Sequence, residues 1–254
     1  MEVRYRKCAG LEVRRDVVIA CARVMTGRKV SRELGTFPLS ARGLFALGDW
    51  LAQREVTHVG VEAIGRWRSV WMLLAGRVSC VLIAAAEIDA VPGRETSASW
   101  LADALALGVV LGGVEPPGRD EGLHEMIETR EQMSRDRVQH AGWMLELLEG
   151  CGLRLATSTS DILGPGARAF LLTLTAGEED PNRLAQLAQG TFRARRGALV
   201  DALPGRILDH HRFLLGTHLR MIENYEEGRA ALEVDLDKAL EALEDGRRGA
   251  ALAP

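Results

Sequence analysis

The spacing of apolar positions changes twice along the chain. Cys8 to Val13 is a short apolar run, Val17 to Met25 (VVIACARVM) is a longer β-rich run, and Lys29 to Phe37 alternates less cleanly. Thr26-Gly27-Arg28 predicts a hairpin turn between the second and third runs. From Leu39 to Gln53 the period becomes helical. Leu44, Leu47, Trp50 and Leu51 fall on one face, and Ser40 is placed to cap the start. Thr57 to Glu62 reads as a strand ending in a carboxylate. Gly65 to Gly76 reads as a helix with Val70, Leu73 and Leu74 inward. Val78 to Ala84 is a continuous apolar run, which predicts a strand buried on both faces. Thr96 to Leu107 is helical again. The order β-β-β-α-β-α-β-α predicts an α/β domain of RNase H-like layout over residues 6–112.

After the Gly-Gly-Val-Glu-Pro-Pro-Gly stretch at 112–118, the strand signals stop. Residues 119–245 predict an all-α region: a long helix over Glu121 to Gly150, then shorter pieces at 153–164, 166–176, 181–190 and 191–203. Asp180-Pro181 reads as a cap followed by Pro at the first helical position. Pro204 to Leu243 is one long amphipathic run. Leu232, Leu236, Leu240 and Leu243 follow a coiled-coil-type spacing, so this helix is expected to pair with itself in a homo-oligomer or with an earlier helix. Residues 246–254 are expected to form a flexible tail.

Composition narrows the class without naming a function. The chain has 254 residues, 47% hydrophobic and 26% charged, which excludes bulk disorder. The formal net charge is −3, which argues against a simple basic nucleic-acid binder. Cys8, Cys21, Cys80 and Cys151 form no C-x-x-C pair, and free buried thiols are expected. The start, MEVRYRKCAG, is charged and lacks the apolar core of a signal peptide, and no apolar run is long enough to span a membrane. A cytoplasmic protein with no membrane association is the expectation.

Carboxylates at strand ends are the residues most able to carry chemistry. In an RNase H-like nuclease they hold two divalent ions, which activate a nucleophile and stabilise the leaving oxygen of a phosphodiester. Glu12 and Glu62 are the candidates for catalysis and for Mg²⁺, with Asp16 just beyond the first strand. Asp103 is the acid of the third helix, and Glu95 precedes it. Spacing alone does not separate such a site from solvated acids. His210, His211 and Arg212, with Arg193, Arg195 and Arg196, form a second set. From Arg183 to Arg229 there are 8 Arg against 5 Asp plus Glu. Phosphate contact and helix-surface packing both fit these residues. Trp67, Trp71 and Trp100 have apolar neighbours and are expected in the core rather than stacked on bases.

Several blocks resemble a known family in the same order: CAGLEVRRDVVIACARV, TFPLSARGLFALGDWL, VTHVGVEAIGRWRSVW and VPGRETSASWLADALALGVV, then ILGPGARAFLLTLTAGEEDPNRLAQLAQGTFRARRGALVDAL and DHHRFLLGTHLRMIENYE. The chain is similar over residues 8–245 to the insertion-sequence "one-ten" transposases, relatives of the Piv and MooV invertases. The resemblance implies a RuvC-like domain with an Asp-Glu-Asp-Asp metal site for Mg²⁺, and DNA transposition or site-specific recombination directed in some members by a structured guide RNA. Two departures stand out. The family's first Asp corresponds to Glu12, and its second acid to Glu62. The stretch bearing the last two acids is shortened here, leaving Asp103 as the nearest acid. The family's Ser-bearing second catalytic domain would follow the coiled-coil region, and the chain reaches Pro254 before it. The expectation is therefore a DNA- or RNA-binding chain of this family, inactive as a recombinase by itself. A domesticated nuclease-dead regulator, or a metal nuclease using Glu12, Glu62 and Asp103, stays open.

Overall fold

The computed structural model describes residues 3–91, 97–114, 120–153, 162–187 and 207–251. Five strands form one mixed sheet: β1 (Lys7–Val13), β2 (Val17–Thr26), β3 (Lys29–Pro38), β4 (His58–Glu62) and β5 (Ser79–Ile83). Their order is β3-β2-β1-β4-β5. β1, β2 and β3 make an antiparallel meander, β4 continues it parallel to β1, and β5 lies parallel to β4. The β2–β3 connection is a two-residue turn closed by the Thr26–Lys29 pair, with Gly27 at φ 62, a conformation glycine adopts at little cost.

The helices of this first part are α1 (Ala41–Gln53), α2 (Trp67–Leu74), α3 (Ala85–Asp89) and α4 (Ala98–Ala106). Ser40 caps α1 by accepting from the Gly43 N–H at 3.2 Å, as the sequence predicts, and Ser97 caps α4 in the same way. Trp67 is buried, and Trp71 and Trp100 pack against buried clusters, so all three serve the core. α3 lies where no periodicity announced it, being only five residues long. One expectation fails. β5 is an edge strand, with Ser79 exposed, Cys80 and Val81 half-buried, and only Leu82 and Ile83 fully covered. A short apolar run can mark an edge strand covered at one end as well as a central one.

The second part holds α5 (Glu121–Gly150), α6 (Pro165–Thr175), α7 (Pro181–Leu187) and α8 (Asp209–Ala251). Asp180 accepts from the Asn182 N–H at 2.9 Å beside Pro181, as predicted. The compact units do not follow the predicted boundary at 112–119. One unit comprises Met1–Ile127 with Glu233–Pro254, the other Glu128–Leu232, so both boundaries fall inside α5 and α8. In the first unit, Leu123, Ile127, Leu236 and Leu240 join Leu11, Leu44, Val61 and Leu73 in the core on one face of the sheet. In the second, Ala141, Met144, Phe170, Leu171, Leu215 and Ile222 form a separate core. Most of the proposed tail is helical too, since α8 continues to Ala251.

The α8 seam packs within the chain, the second of the two arrangements expected for it. Leu236 and Leu240 are buried within the sheet unit, with Leu243 packed against them, and Leu215, Leu219 and Ile222 are buried within the helical unit. Those leucines and the isoleucine are buried inside the chain. The coiled-coil-type spacing serves intramolecular packing, which obeys the same period. Among the described residues no helix is long and apolar enough to cross a membrane.

Candidate functional site

Strand pairing brings two of the predicted acids together. β1 and β4 are parallel neighbours, with Leu11 opposite Val61 as the last recorded pair. Glu12 and Glu62 are the next residue of each strand, and adjacent strands lie about 4.8 Å apart. Alternation directs Ala9, Leu11, Val59 and Val61 into the core beneath α1 and α2, so Glu12 and Glu62 project to the opposite face. That face is covered by α4. The covering is close because position 10 is glycine: a Cβ on Gly10 would collide with the Ala98 carbonyl oxygen and the Ala102 nitrogen. Glu12 is held by Arg14, whose Nε donates to Oε1 at 2.8 Å.

Asp103 does not join this pair. From α4 its carboxylate accepts from Arg23 Nε at 2.9 Å on β2 and from Arg32 Nη2 at 2.9 and 3.0 Å on β3. Both arginines stand on the opposite side of β1 from β4. Arg23 is also paired in register with Cys8, four residues before Glu12, or about 13 Å along the strand. A two-metal site spans only about 4 Å between ions. This placement speaks against the alternative in which Asp103 joins Glu12 and Glu62 as a metal site. Its helix directs it sideways, and Arg23, whose side chain is 5% exposed, needs a counter-charge that Asp103 supplies. A lone Arg inside the apolar run VVIACARVM was the sequence signal for such a clamp. Among the described residues no group of three His, Cys, Asp or Glu converges as a metal-binding set. Glu95 lies outside the described residues.

Asp16 lies in the turn after β1, and its carbonyl accepts from the Leu39 N–H. The same end of the sheet carries Arg14 and Arg15, both exposed, and α2 begins beyond β4 with Arg66 and Arg68. The Arg68 guanidinium lies 4.6 Å from the Trp67 ring centroid. The thiols are structural and free. Cys8 donates to the Ala102 carbonyl at 3.4 Å, and burial pushes its pKa to about 11; burial pushes Cys80 to about 12.

The second predicted set separates as well. Arg193, Arg195 and Arg196 lie outside the described residues. Arg212 turns inward, with Nη1 donating to the Leu174 carbonyl at 2.6 Å and the Glu178 carbonyl at 3.1 Å, and Nη2 reaching Glu179. It thus closes the C-terminus of α6, where helix carbonyls lack partners. Its side chain is 12% exposed, so of the two readings open for it these contacts favour the structural one. His211 Nδ1 accepts from the Leu208 N–H at 3.2 Å at the start of α8, while His210 remains exposed beside it.

Two polar arrangements in the helical unit escaped the sequence reading. Glu226 on α8 accepts from Arg137 on α5 and Arg168 on α6, and Arg168 also holds Glu223. His140 and His218 meet Nδ1 to Nδ1 at 2.9 Å. Long-range pairs of this kind depend on which helix faces meet, and sequence periodicity does not specify that. Compared with known proteins, the chain matches no family model and no curated protein.

Proposed function

We propose that this chain is a non-catalytic nucleic-acid-binding member of the "one-ten" transposase type, built on an RNase H-like domain. The fold reading is supported by the antiparallel β1–β2–β3 meander continued by parallel β4 and β5. The loss of catalysis is carried by one observation, the diversion of Asp103 into the Arg23–Arg32 clamp. Glu12 and Glu62 leave neighbouring strand ends with no third acid beside them among the described residues. These two residues would be the ones to hold Mg²⁺, and the ion would supply charge neutralisation at a phosphate. A bound ion with two protein ligands would bridge to nucleic acid more readily than position a nucleophile.

Arg14 and Arg15 beside Glu12, with Arg66 and Arg68 beyond Glu62, support a phosphate-binding edge at the C-terminal ends of β1 and β4. DNA, or a structured guide RNA, is the partner this reading takes. The test is binding of the full chain to duplex DNA, single-stranded DNA and structured RNA across a salt series. Binding should weaken as salt rises, and exchanging Arg14 and Arg15 for Ala should reduce the salt slope by about one for each phosphate that is no longer neutralised. No binding to any of the three at low salt overturns the proposal.

A further inference from the structure

We propose that His140 and His218 form a proton-operated latch in the helical unit, closed while at least one ring is neutral and opened when both are protonated. The pair joins α5 to α8 through a single Nδ1 to Nδ1 contact of 2.9 Å. Such a contact needs Nδ1–H on one ring and a bare Nδ1 on the other. A second proton leaves two donors and two cations facing each other. The surroundings hold the rings in place. Trp143 meets His140 edge-on at 5.0 Å between centroids, and Tyr225 lies 5.6 Å from His140. Trp143 also lies 5.6 Å from His218.

The charged groups around the pair belong to three helices. On α5, Arg137 stands one turn before His140, and Glu146 lines the groove that His218 and His211 share with Trp143. On α8 and α6, Glu223, Glu226 and Arg168 are bound to one another and to Arg137. Glu223 and Glu226 are thus held by arginines rather than by the histidine pair. Consistent with this, burial and then the His140 ring hold the His218 imidazole below the ordinary value of 6.5. On acidification through that value the unfolded chain takes up a proton that the folded chain refuses, so stability falls as the pH drops.

The experiment is nitrogen-15 NMR of the histidine rings in the full chain from about pH 8 to about pH 5. At neutral pH one ring of the pair should show the Nδ1–H tautomer. In His140→Gln, the titration of His218 should move up towards the ordinary value. The wild-type tryptophan emission should change over the pH range where the pair opens, and Trp143→Phe, which removes the reporting ring, assigns that change to Trp143. If both rings carry the ordinary Nε2–H tautomer in the wild type, the latch does not exist. That readout needs no variant to fold. An unchanged His218 titration in a folded His140→Gln chain overturns the proposal equally.

Discussion

The sheet unit and the helical unit solve the same problem, a charged group away from water, in different ways. In the sheet unit, strand register decides the partners. Arg23 points to the α4 face because its neighbours Ala22 and Val24 point elsewhere, and Asp103 meets it because α4 lies tight against Gly10. In the helical unit the partners come from three helices, and Glu226 is held by two arginines at once. A register-fixed clamp has one geometry and converts a possible metal ligand into a counter-charge. A helix-to-helix network leaves every side chain 24–37% accessible, where the clamp buries Arg23 to 5%, and is open to pH.

Core truncations separate the two units most strongly. Leu215→Ala and Leu236→Ala each remove a fully buried side chain of α8, at a cost of about 2–5 kcal/mol. Leu215→Ala should loosen the helical unit first, seen as a changed Trp143 environment and early proteolysis within residues 128–232. Leu236→Ala should loosen the sheet unit first. If both variants open the same unit, the division of α8 between two cores is wrong.

Asp103→Ala leaves Arg23 buried without its counter-charge and should cost about 2–3 kcal/mol, below the range for a fully buried pair because Asp103 is 34% exposed. Chemical denaturation measures this. A neutral result would mean that the clamp is not what holds α4 in place, and would reopen a catalytic role for Asp103. Gly10→Ala probes the same packing by steric means, with an expected loss of about 1–3 kcal/mol.

Acid should discriminate between the units by a smaller margin. Burial works to raise the Glu226 pKa, but Arg168 and then Arg137 outweigh it and hold the carboxyl below the ordinary Glu value of 4.5. Its contribution is therefore present above that value and is lost as the pH falls through the folded pKa. Glu226→Gln should flatten the acid limb of the helical unit's stability profile and cost about 1 kcal/mol at neutral pH. An acid limb of unchanged steepness in this variant would remove Glu226 from the account. Smallest of all, Phe213→Ser alters a side chain that is 68% exposed and should change stability by less than about 0.5 kcal/mol.

Much of the fold was legible because its periods are local. The five strands, the Ser40 cap, the Gly27 turn and the Asp180-Pro181 start all follow from neighbouring residues. Glu12 and Glu62 were legible as a pair because strand ends can be read from a sequence. The direction in which Asp103 leaves α4 was not, since it depends on a partner 80 residues away in the chain. The α8 seam shows the same limit from another side. Its heptad-like spacing was visible, but the spacing does not record whether the facing surface belongs to another copy or to the chain itself.

The proposal that Glu12 and Glu62 do not support cleavage is open to a direct test. The direct measurement is incubation of the full chain with branched and duplex DNA in Mg²⁺ and in Mn²⁺, beside Glu62→Gln. The account predicts no metal-dependent cleavage by either protein. Cleavage by the wild type that Glu62→Gln abolishes would contradict it.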